Sequence, residues 1–79
     1  MNWREHIEQN PKVLGGKPVF KGTRLSVELV LERLGAGETQ EQMLQQYPTL
    51  RVEHVRAACA FAAEQLSLTR SIFLDEEAV

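Results

Sequence analysis

The chain has 79 residues, 43% of them hydrophobic and 25% charged, which is ordinary for one small folded domain and unlike a disordered segment. Its single cysteine, Cys59, excludes an internal disulfide, and no stretch of the sequence reaches the roughly 18 uninterrupted apolar residues of a membrane span. The first residues lack the apolar stretch of a secretory signal, so we expect a cytoplasmic protein with one domain over residues 1–79.

The charge is divided unevenly along the chain. Residues 1–24 carry five basic and two acidic side chains, a net +3, whereas residues 25–79 carry four basic and nine acidic ones, a net −5. A dedicated DNA-binding domain is usually basic overall, and this chain has a net charge of −2. Because so short a chain has a thin core, we also expect a homodimer or an obligate partner.

A short arm is predicted before the first long helix. Residues 3–9 are expected to form one helical turn that ends at Asn10-Pro11, since the residue before a proline avoids the helical region. Val13-Leu14 and Val19-Phe20 flank a Gly-Gly-Lys-Pro turn at residues 15–18. Two short apolar pairs around such a turn favour a small β-hairpin.

Basic side chains are concentrated in the turns of this arm. Residues 21–24 form a second turn, in which Gly22 can adopt a positive φ. We expect Arg24 to be partly buried and structural. For Lys17 and Lys21 two readings stay open: contacts with phosphates beside a recognition helix, or solvated turn positions.

Two capped helices are predicted next. Ser26 caps the first, along which apolar residues recur on one face at helical spacing. The glycines of residues 35–37 end it. Thr39 and Gln42 have the spacing of a capping box for a second helix of about eight residues, which ends at Pro48.

A third helix is expected from about Arg51 to Leu66. Apolar residues at spacings of 3, 4, 3 and 4 form a seam that we expect to be buried: Val52, Val55, Cys59, Ala62 and Leu66. Phe61 lies off this seam, which indicates an interface with a second copy or with another protein.

A short helix, a tight turn and a longer helix have the outline of a helix-turn-helix. The predicted fold class is therefore mainly α: a three-helix helix-turn-helix domain, homeodomain-like or winged-helix-like, with an N-terminal β-hairpin arm. Its core would span residues 5–66, followed by a tail at residues 67–79.

Recognition helices reach base edges from their first turns, where this chain has Arg51, His54 and Arg56. A solvated face of mixed charge is the alternative reading, since Glu53 would oppose phosphate.

The tail has apolar residues ahead of acidic ones. Ile72, Phe73 and Leu74 precede Asp75, Glu76 and Glu77. A clasp that buries these three apolar side chains in a partner would gain roughly 1.5–3 kcal/mol from each. The alternative is a solvated terminus.

Nothing in the sequence assembles into a catalytic or metal site. His6 and His54 are far apart and lack a second ligand one turn away, whereas a zinc site needs about three or four ligands. Gly15-Gly16-Lys17 lacks the longer run of a phosphate-binding loop, and Cys59 falls on the apolar seam. We therefore expect a protein that is not an enzyme and that uses no cofactor and no metal.

Several short motifs are specific when taken together. The chain carries, in order, Asn10-Pro11, Gly15-Gly16-Lys17-Pro18, Gly22-Thr23-Arg24, Gly37 and Tyr47-Pro48, followed by an alanine-rich last helix. In this pattern residues 5–66 closely resemble the domain of unknown function 433 family of small prokaryotic proteins. The start of the third helix departs from it, because Arg51 stands where that family often has Thr or Ser.

The resemblance implies a fold similar to helix-turn-helix antitoxins. Such a protein would be the antitoxin half of a toxin–antitoxin pair whose other half is a PIN-like nuclease toxin. One face would read double-stranded operator DNA through Lys17, Lys21, Arg51, His54 and Arg56. The other face would bind the toxin through Phe61, Ile72, Phe73 and Leu74. The alternative function is a protein–protein interaction module of the same fold that does not bind DNA.

Overall fold

A computed structural model of the chain describes residues 1–73, with side chains through residue 68. The described residues form three α-helices, one two-stranded antiparallel sheet and two single turns of 3-10 helix. The helices are α1 (Val27–Gly35), α2 (Gln40–Gln46) and α3 (Val52–Phe73); the strands are β1 (Ile7–Glu8) and β2 (Val19–Phe20); the 3-10 turns are Trp3–Glu5 and Leu14–Gly16. The predicted three helices and short N-terminal β-hairpin are confirmed.

The first strand of the hairpin differs from the predicted one. β2 is Val19–Phe20, as expected, but it pairs with Ile7–Glu8, where Ile7 faces Phe20 in register. The expected strand at Val13-Leu14 is wrong, because glycines with positive φ curl the chain into a 3-10 turn at residues 14–16. The chain between the strands therefore forms a compact arm.

The predicted helix caps are confirmed. Ser26 Oγ accepts a hydrogen bond of 3.0 Å from the backbone N–H of Leu29 at the start of α1. At the start of α2, Thr39 Oγ1 accepts from the N–H of Gln42 at 3.1 Å, and Gln42 Oε1 accepts from the N–H of Thr39 at 2.8 Å. These bonds satisfy N–H groups that have no partner inside a helix.

One core joins the arm to the three helices. Its buried apolar residues come from both strands, the three helices and the turn before α3, and Phe20 of β2 and Met43 of α2 are among its largest fully buried side chains. The cluster consists of Ile7, Phe20, Val27, Val30, Met43, Leu50, Val55, Ala57 and Ala58. The hairpin arm is therefore part of the core, which fixes it against α3.

The buried face of α3 is rotated from the predicted seam. α3 has 22 residues and runs past the expected end at Leu66. It buries Val55, as expected, but the other core positions are His54, Ala57 and Ala58. Cys59 is exposed and Leu66 is 71% exposed, so the expectation that both are buried is wrong. The reason is that α3 has alanines on several faces, and these small side chains let it pack closely against the core. It therefore packs on the side of Ala57 and Ala58 and not along the predicted seam.

Candidate macromolecular interface

The segment between α2 and α3 turns sharply at Pro48. The N–H of Tyr47 closes α2 on the carbonyl of Met43, and the N–H of Leu50 bonds to the carbonyl of Tyr47 at 2.9 Å. Leu50 is buried in the core, so it anchors the turn. The predicted short and long helices bent around Pro48 are confirmed.

Arg51 and His54 form the N-terminal cap of α3. The carbonyl of Arg51 accepts from the N–H groups of His54 (3.0 Å) and Val55 (3.3 Å), which defines Arg51 as the cap residue. An arginine side chain cannot accept a hydrogen bond, but His54 Nδ1 accepts from the N–H of Arg51 at 3.0 Å. His54 thus has the role that Gln42 has at the start of α2.

His54 is buried instead of facing solvent. Only 9% of the residue is exposed, and its ring lies 5.0 Å from that of Phe20 and 6.2 Å from that of His6. The expectation that it lies on the outer side of α3 and can reach DNA is therefore wrong. Burial, followed by the repulsion of His6 and Arg51, lowers the pKa of His54. Its neutral form is the one that can accept at Nδ1 and cap the helix.

The outer side of the first turns of α3 carries mixed charge. Arg51 and Arg56 are both exposed, as expected for residues that would face a groove of DNA. Glu53 is also exposed between them. Two cations and one carboxylate therefore remain on this face.

The two lysines of the arm, Lys17 and Lys21, have different neighbours. Lys21 follows Phe20, whose ring contacts His54, so its backbone lies beside the start of α3. Lys17 instead has its ammonium 3.5 Å from a carboxylate oxygen of Glu28 on α1. Of the two, Lys21 is the one whose chain neighbour contacts the start of α3.

A cleft with several polar and charged residues in its lining lies where the arm meets the turn before α3. Its volume is ≈ 500 Å³, and it is lined by Glu8, Val13, Gly22, Thr23, Arg24 and Thr49. Arg24 is exposed, so the expectation that it is partly buried is wrong. Thr23 closes this turn instead: its hydroxyl donates to the carbonyl of Phe20 at 2.8 Å and accepts from the N–H of Leu25 at 3.1 Å.

Leu14 lies in the arm in a strained backbone conformation. Its φ is +48°, a region that leucine rarely adopts and that costs roughly 1–2 kcal/mol. Its side chain is 49% exposed and shares a small cleft of ≈ 170 Å³ with Lys12, Val13 and Arg24. Neither Lys12 nor Arg24 has an ion pair among the residues whose side chains are described. The sequence marked Arg24 as part of a basic turn and Leu14 as part of an apolar pair, but it did not indicate that the two share a surface.

An apolar groove lies between α1 and α3. Its volume is ≈ 420 Å³, and it is lined by Pro18, Val27, Glu28, Leu31, Glu32 and Phe61. Of the residues that line this groove, only Phe61 was predicted from the sequence to lie at an interface, and the α1 side was not predicted. The sequence signal for the α1 side is a spacing of four residues. Val27 and Leu31 form one row along the helix, and Glu28 and Glu32 form the row beside it.

The N-terminus holds the middle of α3. Trp3 Nε1 donates to Glu64 Oε1 at 3.3 Å, and Arg4 Nη2 donates to Glu64 Oε2 at 2.8 Å. The Trp3 ring meets the Phe61 ring edge-on, with centroids 4.8 Å apart. Phe61 is therefore partly covered by the chain itself, and it also lines the groove.

Beyond Glu64, α3 presents apolar side chains to solvent. Leu66 and Leu68 are among the large hydrophobic residues that are exposed, Leu68 by 56%. The side chains of Ile72 and Phe73, and the whole of Leu74, to which we assigned partner contacts, lie outside the described residues.

The described part of the chain has neither a metal-binding cluster nor a membrane-spanning helix. It contains no group of three or more His, Cys, Asp or Glu side chains placed to hold a metal ion. None of its helices is both long and apolar enough to cross a membrane.

Fold and surfaces together define a small helical domain with an N-terminal hairpin arm, clefts at the arm and a groove between α1 and α3. The chain belongs to the family described as "Protein of unknown function (DUF433)", whose model matches residues 7–62. The family resemblance seen in the sequence is thereby confirmed.

Two relatives are similar to this chain. The "Uncharacterized protein y4eO" of Sinorhizobium fredii (strain NBRC 101917 / NGR234) is 40% identical over 73 residues, which cover 91% of this chain and 33% of that protein. The chain thus spans about a third of the length of this curated relative. The crystal structure of a DUF433 member from Anabaena variabilis ATCC 29413 has a TM-score of 0.71 and 26% identity, covering 86% of this chain and 68% of that one.

Proposed function

We propose that this chain is an antitoxin-like protein that acts by binding, and that it neutralises a PIN-like nuclease toxin by covering it. The observation that carries the proposal is the C-terminal half of α3, which leaves the core with Leu66 and Leu68 in solvent. Exposed leucines on a helix end are typical of helices that lie in a partner's groove. The resemblance to antitoxins supplies the class of the partner.

The positions of the two leucines constrain the contact. Residues two apart on an α-helix point about 200° away from each other, since each residue turns the helix by about 100°. A flat partner surface could bury only one of Leu66 and Leu68. A partner that buries both must surround the helix, which fits a cleft such as the substrate cleft of a nuclease. The acidic residues 75–77 that follow in the sequence have the charge that suits a basic nucleic-acid-binding cleft.

The proposal expects the adjacent gene to encode a PIN-like nuclease, and the test is whether this chain inhibits the product of that gene. The variant Leu66→Asp/Leu68→Asp should inhibit the nuclease at least tenfold more weakly than the wild type, because burial of each leucine contributes roughly 1.5–3 kcal/mol. The matched control is Gln40→Asp/Gln45→Asp, which adds the same charge at exposed positions of α2. Equal inhibition by the leucine variant and the control would contradict the proposal.

A second candidate function is binding of double-stranded operator DNA. The observation that favours it is the succession of α2, the turn at Pro48 and α3, which we propose acts as a helix-turn-helix unit. Because His54 is buried, base or phosphate contacts would come from Arg51 and Arg56, supported by Lys21. Glu53 opposes phosphate on the same face, so this function has weaker support than the first.

Salt dependence tests the second candidate. If Arg51 and Arg56 contact phosphates, the affinity for an operator duplex falls steeply with salt, and Arg51→Ala/Arg56→Ala reduces the slope by about 2. The matched control is Arg4→Ala/Arg33→Ala, since these two arginines pair with Glu64 and Glu38 and neither lies at the start of α3. If no duplex binds at low salt while the nuclease is still inhibited, the chain is a protein-interaction module without a DNA-binding role.

A further inference from the structure

The arm and the groove have complementary chemistry. In the arm, the half-exposed Leu14 shares a cleft with Lys12 and Arg24, two cations with no ion pair among the described side chains. We call Lys12, Leu14 and Arg24 the arm tip. The arm tip therefore offers one apolar side chain next to two positive charges that have no ion pair among the described side chains.

The groove between α1 and α3 offers the opposite. Its apolar lining is provided by Pro18, Val27, Leu31 and Phe61, and its acidic side chains are Glu28 and Glu32. Glu32 has no ion pair among the described side chains. Glu28 has only the loose contact with Lys17, in which both side chains are about 60% exposed and the pair contributes little. An incoming cation can therefore take the place of Lys17.

We propose that the arm tip of one copy of this chain docks in the groove of a second copy. Leu14 enters the apolar part of the groove, and Lys12 and Arg24 face Glu28 and Glu32. The groove volume of ≈ 420 Å³ lies within the roughly 300–1,000 Å³ of ordinary binding pockets, so a leucine and its neighbour fit.

The charges of the groove argue against other occupants. The chain's own acidic residues 75–77 would meet Glu28 and Glu32 with like charge, and so would nucleic acid. The strain at Leu14 points the same way, since residues held in rare backbone conformations cluster at functional sites.

The contact is reciprocal in a two-fold dimer. Each copy has one arm tip and one groove, so a symmetric pair forms two identical contacts and buries twice the area of one. One contact alone would be small beside the roughly 1,200–2,000 Å² of stable interfaces. The dimer would thus join the basic first part of each chain to the acidic α1 of the other.

Charge exchange tests this arrangement in the full chain. Sedimentation velocity of the wild type should show a dimer that weakens as salt is added. Lys12→Glu/Arg24→Glu and Glu28→Lys/Glu32→Lys should each be monomeric, because like charges then meet in both contacts. An equimolar mixture of the two variants should restore the dimer, since both contacts become complementary again. Leu14→Asn, which suits the positive φ, should weaken the dimer by about tenfold for each contact.

Two controls keep the test decisive. Glu5→Lys/Glu41→Lys reverses two exposed charges away from the groove and should leave the dimer unchanged. Circular dichroism shows that each variant is folded before it is compared. A wild type that stays monomeric at high concentration, a dimer that both charge variants retain, or a mixture that fails to associate would each overturn the proposal.

Discussion

The backbone N–H of Arg51 donates a 3.0 Å hydrogen bond to Nδ1 of His54, which ties the start of α3 to the protonation state of one imidazole. Burial, and then the charges of His6 and Arg51, lower the pKa of His54 in the folded chain. The unfolded chain, where histidine titrates at about pH 6.5, therefore takes up the proton first as the pH falls. The stability that neutral His54 contributes is fully present above about pH 6.5 and is lost as the pH falls through the folded-state pKa.

We predict that His54→Gln removes this pH dependence. Glutamine can cap Arg51 through Oε1, as Gln42 caps Thr39, and it does not titrate. Urea unfolding of the wild type should show a lower midpoint at about pH 5 than at about pH 8, with a smaller change in His54→Gln. His6→Gln should keep most of the dependence, since burial is the main cause of the shift. An equal midpoint change in wild type and His54→Gln would contradict the prediction.

We predict that Leu14→Asn makes the chain more stable. Leucine at φ +48° is strained by roughly 1–2 kcal/mol, whereas asparagine tolerates this region. Because the Leu14 side chain is half exposed, little burial is lost, and the free energy of unfolding should rise by about 1 kcal/mol. Urea unfolding at high salt and low protein concentration, where the proposed dimer is dissociated, measures this change.

Leu66→Asn is the matched control for Leu14. It removes a leucine that is also exposed but that lies in a helix, where asparagine is the poorer residue. It should lower the free energy of unfolding by a few tenths of a kcal/mol. A loss of stability in Leu14→Asn as large as in the control would show that the backbone of Leu14 is not strained.

We predict that Trp3 fastens the N-terminus to α3. It contacts the Phe61 ring edge-on and donates to Glu64, so Trp3→Ala should lower the free energy of unfolding by about 2 kcal/mol, less than a fully buried tryptophan. Glu64→Gln should cost about 0.5 kcal/mol, since the amide still accepts from the indole but loses the charge that pairs with Arg4.

The measurement for this contact uses the single tryptophan of the chain as its probe. Trp3 fluorescence should shift to longer wavelength in Phe61→Leu, which removes the ring that covers it. Glu5→Ala, at an exposed position beside Arg4, should change neither the fluorescence nor the stability. Trp3 fluorescence that is the same in Phe61→Leu and in the wild type would contradict the prediction.

Local signals predicted the helices well. The starts of α1 and α2 can be located from the sequence alone. Their caps are hydrogen bonds between residues three positions apart, made by Ser26 at α1 and by Thr39 and Gln42 at α2. Pro48 breaks the chain by its own geometry. The three helices were predictable for this reason.

Long-range choices were not predictable in the same way. Pairing of Ile7 with Phe20 joins residues 13 apart, and a strand of two residues has no periodicity to mark it. The side of α3 that faces the core was ambiguous because alanines lie on several faces. His54 is the clearest case: a polar residue at the start of a helix is expected in solvent, and only the partners Phe20 and His6 bury it.

The unequal packing along α3 has a consequence for amide hydrogen exchange. Its first turns are held by the core through Val55, Ala57 and Ala58, whereas residues 65–68 are all exposed. Opening of the turns at residues 65–68 therefore does not require the core to open. Amides at residues 57–61 should exchange only when the whole domain unfolds, and those at residues 65–68 should exchange by local fraying until a bound protein protects them.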